Sequence, residues 1–226
     1  MVEFNPIGPL GAWGGEFPMG SRVGEITGGI MTISGIQGDV EIDINPYREN
    51  DSDFRLEVQM SGGARYLKNI DVIKDKGDIN ILGTGEIIKK EGKEPFKITV
   101  YLPQYNTPHK LELIDVGGKV RVGFVINDIS LVTAGDCFAE IMCIDSFSCV
   151  AGGKSNVTVQ AVNKAIGRLE TDNNAQITID RAISEGGYIR ASGKSRIIMP
   201  NAMVTGASIS RSDGGLVKIN GKTYRN

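Results

Sequence analysis

Three cysteines stand at even spacing in the segment CFAEIMCIDSFSC, as Cys137, Cys143 and Cys149, and the chain holds no others. Thiols grouped in this way point to two chemistries. One is ligation of a soft metal, which takes four converging thiolate or imidazole ligands; the other is thiol–disulfide exchange, which takes a low-pKa pair such as CxxC. The sequence supplies neither set: no CxxC is present, and the single histidine, His109, lies in the connection NTPHK with no nucleophile near it in sequence. A Walker loop, a GxGxxG after a strand, an EF-hand loop, HExxH and the GGxGxDxUx calcium repeat are likewise absent. The expectation is no metal, no cofactor and no catalytic residue.

What the cysteines do therefore depends on the elements that carry them. Thirty glycines and many short Val/Ile/Thr runs bounded by Gly, Asn and Asp predict β-structure with tight turns. From Leu111 onward the chain divides into six units: LELIDVGGKVRVGFV, ISLVTAGDCFAEIMCI, FSCVAGGKSNVTVQAV, GRLETDNNAQITIDRAI, GYIRASGKSRIIMPNAM and ASISRSDGGLVKINGK. In each, a short strand enters a small or polar turn and a second strand leaves it. The turns are Gly117-Gly118, Gly135-Asp136, Gly152-Gly153, Asn173-Asn174, Gly193-Lys194 and Asp213-Gly214-Gly215, residue types that tolerate positive φ.

Two apolar rows recur through the units. The first strand carries Leu113, Leu131, Cys149, Leu169, Ile189 and Ile209, at steps of 18, 18, 20, 20 and 20; the second carries Val122, Ile141, Val159, Ile179, Met199 and Ile219, at steps of 19, 18, 20, 20 and 20. Like residues in register at a full-coil spacing are what a parallel β-helix requires, because each coil buries its alternate side chains on the next. A sandwich or barrel of hairpins also gives short strands at close spacing, but it does not predict this register. The fold class is all-β: a parallel β-helix, or β-solenoid, of about 18–20 residues per coil in the C-terminal half, with a less regular N-terminal part. Residues 1–20 read as a Gly/Pro-rich apolar leader and 21–226 as a single domain, irregular over 21–108 and regular over 109–226.

The register assigns side chains to sides. Cys149 falls on an inward row and Cys143 opposite Ala161, whereas Cys137, aligned with Lys119 and Ser155, sits at the turn as an exposed thiol, so that titration of the folded protein labels about one site. Asn127, Asp145 and Asn163 recur at 18 and suit a polar ladder along one corner. Arg121 and Glu140 fall on one outer row as an opposite-charge surface pair. One position beyond Leu113, Leu131 and Cys149 stand Ile114, Val132 and Val150, which face outward, with Glu170, Arg190 and Ser210 at the same place in later coils. An apolar stripe on a polar sheet marks a surface that something covers: the N-terminal half, the leader with Phe4, Trp13 and Phe17, or a partner.

The order ITGGIMTISGIQGDVEIDI, an acidic loop, LKNIDVIKDKGDINIL, KITVYLP, KLELIDVGGKVRV and INDISLVTAGDCFAEI resembles the bacterial auto-transporter adhesin head (GIN) domain family over roughly residues 21–222. The resemblance implies a right-handed parallel β-solenoid with a cell-surface adhesin role and no catalytic residues. Members usually begin with a secretion or lipoprotein signal. The opening MVEFNPIGPLGAWGGEFPMG lacks a basic region followed by an unbroken apolar stretch, so the compartment stays open between cytoplasmic, virion-associated and exported.

The functional expectation is a non-catalytic binding or structural module. It self-associates, or takes a protein or glycan ligand, through the solenoid face. The alternative is a carbohydrate-active enzyme on the same scaffold, using carboxylates such as Asp136 and Glu140. A net charge of −2 gives no footprint for nucleic acid, and no window approaches the roughly 18 apolar residues of a membrane span, so neither nucleic-acid binding nor membrane insertion is expected.

Overall fold

The computed structural model describes residues 19–25, 29–36, 39–44, 53–59, 70–75, 78–83, 97–102 and 108–224. Every element among them is a strand. In chain order these are β1 (Met19–Glu25), β2 (Ile30–Ser34), β3 (Asp39–Ile44), β4 (Asp53–Gln59), β5 (Ile70–Asp75), β6 (Asp78–Gly83) and β7 (Lys97–Leu102), then the long winding β8 (Lys110–Ala151) and β9 (Asn156–Thr171). The chain continues through β10 (Gln176–Glu185), β11 (Tyr188–Ala191), β12 (Arg196–Met199), β13 (Asn201–Thr205), β14 (Ser208–Arg211), β15 (Leu216–Ile219) and β16 (Lys222–Tyr224).

The coils stack in parallel with like residue on like residue. On the first face Cys149 pairs with Leu169, Leu169 with Ile189 and Ile189 with Ile209. On the second, Ile141 pairs with Val159, Val159 with Ile179 and Met199 with Ile219. A third, shorter face runs through Ile144, Val162, Ala182 and Ala202. The strand β10 bends between the second and third faces, since its first half pairs with β12 and its second half with β13. The result is a three-sided β-solenoid of about five turns, whose inward rows are buried along its length. Its core is a continuous column made mainly of Ile, Val, Leu and Ala, with Phe147, Met31, Met199 and two cysteines among them, each side chain removed from water by the neighbouring coils.

The corner between the first and second faces is shaped by residues with left-handed backbone. Gly118, Gly135, Gly153, Asn173, Gly193 and Asp213, at least one residue in each turn, all have positive φ. Glycine, asparagine and aspartate reach that region at little cost, which is why the turns admit these types. Inside the corner, hydroxyls replace aliphatic packing. Thr133 Oγ1 lies 2.8 Å from Ser155 Oγ, which donates to the Gly135 carbonyl oxygen at 2.9 Å, and Ser195 Oγ lies 2.8 Å from Thr171 Oγ1. Ala151, Ala175 and Ala191 fill the intervening buried places. Buried hydroxyls are tolerated here because each has a partner within the corner.

The coil length changes at two points. Ile144 pairs with Val162 but Ser146 with Ala165, and Phe147 pairs with Ile166 but Cys149 with Leu169. Two single-residue bulges, at Asn163-Lys164 and Gly167-Arg168, thus convert a step of 18 into a step of 20. Buried Ser184 repairs the ladder nearby: its hydroxyl accepts from the Ile166 N–H at 2.8 Å and donates to the Gly186 carbonyl at 3.1 Å.

The N-terminal strands continue the solenoid, but not in chain order. β2 and β3 lie in parallel against the start of β8, with Ile33 on Leu113 and Ile42 on Val122. The later strands β6 and β7 stack on the other side of them, with Ile81 on Ile33 and Val100 on Ile42. Antiparallel strands then end the parallel stack, β5 on β6 and the pair β1–β4 on β7. At the opposite end β16 turns back antiparallel on β15. There the Asn220 side chain takes the place of a further strand: its Oδ1 accepts from the Ala202 N–H at 2.7 Å and its Nδ2 donates to the Ala202 carbonyl. Open parallel edges are templates for unwanted pairing, and these devices occupy them.

The stacking separates two glycines of identical backbone. Gly135 and Gly153 both have φ of 66°, but a Cβ on Gly153 would sit 2.5 Å from the Gly135 carbonyl oxygen, whereas one on Gly135 meets nothing within 4 Å. Gly135→Ala is expected to lose about 1 kcal/mol, the left-handed penalty alone, and Gly153→Ala about 2–4 kcal/mol. Denaturant unfolding midpoints check this, and equal losses would contradict the close coil-to-coil approach.

Candidate binding surface

On the outward side of the first face two main rows of side chains run along the axis, with Leu82 next to Ser34 and Ile30 next to Lys110 at the N-terminal end. In the first, Thr32 pairs with Glu112, and further along Arg168 pairs with Tyr188 and Tyr188 with Ser208; Ser130 and Ser148 stand between at the same parity. In the second, Ser34 pairs with Ile114, and Val150 with Glu170, which is followed by Arg190 and Ser210. Ile114 is 39% exposed, and Val132 and Val150 are half-buried. All three stripe residues are thus partly or fully open on the outward side, as their parity requires. The leader residues Phe4, Trp13 and Phe17 lie outside the described residues.

Charged and hydroxyl groups border the stripe. On one side Glu112 pairs with Lys110 at 2.6 Å and accepts from Thr32 Oγ1 at 3.4 Å. On the other, Arg168 Nη2 meets Glu170 Oε2 at 2.7 Å, and exposed Tyr188 and Arg190 follow in the next coil. At the adjoining corner the Asn173 N–H and then the Ser192 hydroxyl bond the Asp172 carboxylate and hold its pKa below the usual range, with Arg190 adding to the effect. These exposed pairs orient side chains more than they stabilise the fold.

The remaining candidate groups are dispersed. Arg121 turns to Glu41 of the neighbouring N-terminal coil, with Nη1 3.0 Å from Oε1. Glu140 lies in register with Thr158 on the second face, and Asp136 stands exposed at the corner. His109 is exposed, with the Asn127 amide nitrogen 3.4 Å from its Nδ1, while Asp145 takes the Lys164 ammonium at the bulge. Among the described residues no group of three or more His, Cys, Asp or Glu side chains gathers as a metal site. No helix of the described residues is long and apolar enough to cross a membrane.

The cysteines require one correction. Cys149 is buried on the inward row as expected, and the backbone pairs Cys143 with Ala161, although the Cys143 side chain lies outside the described residues. Cys137, expected to be exposed, is fully buried. The alignment with Lys119 used a step of 18, but the second strand of that coil runs at 19, which sets Cys137 with Gly118 instead. The residue that follows each two-residue turn tip points back into the corner: Cys137, Ser155, Ala175, Ser195 and Gly215 are all buried. The smallness of this row was the available signal. Burial pushes the Cys137 thiol up to about 11, and it raises Cys149 further, with the neighbouring Cys137 charge adding to the burial effect.

No family model and no curated protein matches the chain. Among solved structures, a "putative adhesin" from Parabacteroides distasonis aligns with a TM-score of 0.59 at 10% identity, covering 91% of this chain and 98% of its own. A "putative adhesin" from Bacteroides fragilis aligns at 0.48 and 12% identity, covering 92% and 99%. A "putative lipid binding protein" from P. distasonis aligns at 0.40 and 15% identity, covering 89% and 96%. The first likeness shows a shared fold.

The burial of Cys137 and Cys149 has two measurable consequences. A Cys143→Ser variant is expected to take up no thiol reagent at pH 8 while folded and to titrate two thiols in denaturant; rapid labelling of the folded variant would contradict the corner geometry. A thiol whose folded pKa stands above its ordinary value near 9 contributes stability that is intact below about pH 9 and is lost as pH rises toward 11. Cys137→Ala should flatten that alkaline decline in unfolding free energy.

Proposed function

We propose that the chain is a non-catalytic β-solenoid acting by contact, a binding or structural module of the adhesin-head kind, with its first face as the working surface. One observation carries this reading: Ile114, Val132 and Val150 form an outward aliphatic stripe, with Leu82 and exposed Ile30 and Ile73 beyond it toward the N-terminal strands, on a face that otherwise carries hydroxyls and charges. Apolar groups arranged contiguously at a sheet surface are the usual mark of a contact site. The fold shared with a "putative adhesin" and the resemblance to adhesin-head sequences support the same class. The partner class is a protein or a glycan. Glycoside hydrolysis needs two carboxylates set across a bound sugar, whereas Glu112 and Glu170 of this face are each taken up by a neighbouring cation, which favours contact over turnover.

The test is retention of the purified chain on glycan arrays and on immobilised surface or matrix proteins, with a parallel assay for reducing ends released from a polysaccharide panel. Retention without turnover is expected, weakened roughly tenfold or more by Val132→Asp, since a charge buried at a contact without a partner costs over about 1 kcal/mol. Release of reducing ends would overturn the non-catalytic reading. Retention that Val132→Asp leaves unchanged would overturn the assignment of the face.

A further inference from the structure

Charge along the chain changes sign where the stripe ends. Up to Val150 the described residues include 15 acidic and 7 basic ones; beyond it they include 5 acidic and 10 basic, a net −8 against +5. From β8 onward, position along the chain is position along the solenoid axis, because successive coils stack in parallel. The stripe occupies the middle of that axis. The coils of β2 and β6 lie beyond Ile114 on the acidic side, and those of β11 and β14 lie beyond Val150 on the basic side.

The first face carries a fainter version of this division, since Lys110 stands beside Glu112 at the acidic end and Glu170 beside Arg168 at the basic end. Toward the acidic end stand Asp71, exposed and opposite Leu82, and Glu112. Toward the basic end stand Arg168 and Arg190, both exposed, the first in register with Tyr188 on the coil before it and the second two residues beyond Tyr188 on the same strand. Arg168 and Arg190 have acidic neighbours of their own, so the surplus is a property of the whole basic half. Lys154, Lys194, Arg196 and Lys218 contribute to it and form no ion pair among the described residues.

We propose that the occupant of the stripe is a second copy of this chain, packed antiparallel about a two-fold axis that crosses the stripe near Val132 along the strand direction. The proposal rests on the reading of the first face as a contact surface and names its partner. Such an axis exchanges the two ends of the solenoid. Val132 then meets its own counterpart, Ile114 faces the copy's Val150, and the basic half of each chain lies over the acidic half of the other. Other arrangements fail one condition. Side-by-side parallel packing sets acid on acid, and head-to-tail stacking satisfies the charges but leaves the stripe in water. The antiparallel pair closes on itself as an isologous dimer, and the short side chains of Ser34, Ser130 and Ser148 let two sheet faces approach to about 10 Å. Its electrostatic part acts over long range and is screened by salt.

The test is the mass of the full chain by light scattering or sedimentation at about 50 mM and about 1 M salt, with a Debye length near 3 Å in the latter. A dimer of the 24.3 kDa chain is expected at low salt, weakened roughly tenfold or more at high salt, and converted to monomer by Val132→Asp. In a Cys143→Ser background, Ser130→Cys lies next to the axis and should give a disulfide-linked species that stops at the dimer. This variant leaves the core untouched and keeps the test open if Val132→Asp fails to fold. A monomer at low salt with no Ser130→Cys cross-link overturns the proposal, and so does an open ladder of higher oligomers. A monomeric wild type whose Val132→Asp variant still loses glycan or protein retention overturns the second copy alone. A variant that changes neither mass nor retention overturns the reading of the face as well.

Discussion

Everything in this structure follows from one constraint, that each inward side chain must pack on the like position of the coil before and after it. Strand hydrogen bonds hold successive coils about 4.8 Å apart, so a buried Ile or Val is covered only when its neighbours along the axis are also apolar and of similar size. The column from Ile81 through Ile33, Leu113, Cys149, Leu169 and Ile189 meets that condition, and so does the column from Val100 through Ile42, Val122, Val159 and Ile179. The same constraint sets the corners. A backbone carbonyl directly beneath a turn excludes a Cβ at Gly153, and small inward residues beyond the tip let hydroxyls such as those of Thr133 and Ser155 satisfy each other.

A stack built this way has two open ends and no internal reason to stop. The chain ends it with strands that run the other way, β5 and β4 at one end and β16 at the other, and with the Asn220 amide standing in for a missing strand against Ala202. The sides are left as the surface on which outward residues can vary. The outward positions are free of the packing constraint, which is why a row can pass from Ile114 and Val150 to Glu170 and Arg190 without disturbing the core beneath it.

The rows of the C-terminal half were legible in the sequence because burial there repeats one residue type at one spacing. The turn residues were legible because positive φ selects Gly, Asn and Asp. The length change from 18 to 20 was visible as arithmetic, but its division into bulges at Asn163-Lys164 and Gly167-Arg168 was not, since a bulge depends on local hydrogen bonding with little mark on composition. Cys137 was misplaced because a one-residue difference between two strands of the same coil reverses the side on which a residue falls. The N-terminal order was illegible for a different reason: β2 and β3 lie between β8 and strands that come later in the chain, and no local spacing encodes such threading. For the candidate surface, parity placed Ile114, Val132 and Val150 outside, while their flanking partners needed the pairings.

Rise along the axis defines the solenoid, and a spin-label distance between Glu112→Cys and Ser208→Cys, in chains diluted with unlabelled protein, measures it directly. The two positions share one outward row and are separated by the coils of Ser130, Ser148, Arg168 and Tyr188, so in-register stacking predicts a backbone separation of about 24 Å. A separation under about 15 Å, or one above about 35 Å, would mean that strands fold back as hairpins or shift in register, and would contradict the solenoid on which the assignment of the working face rests.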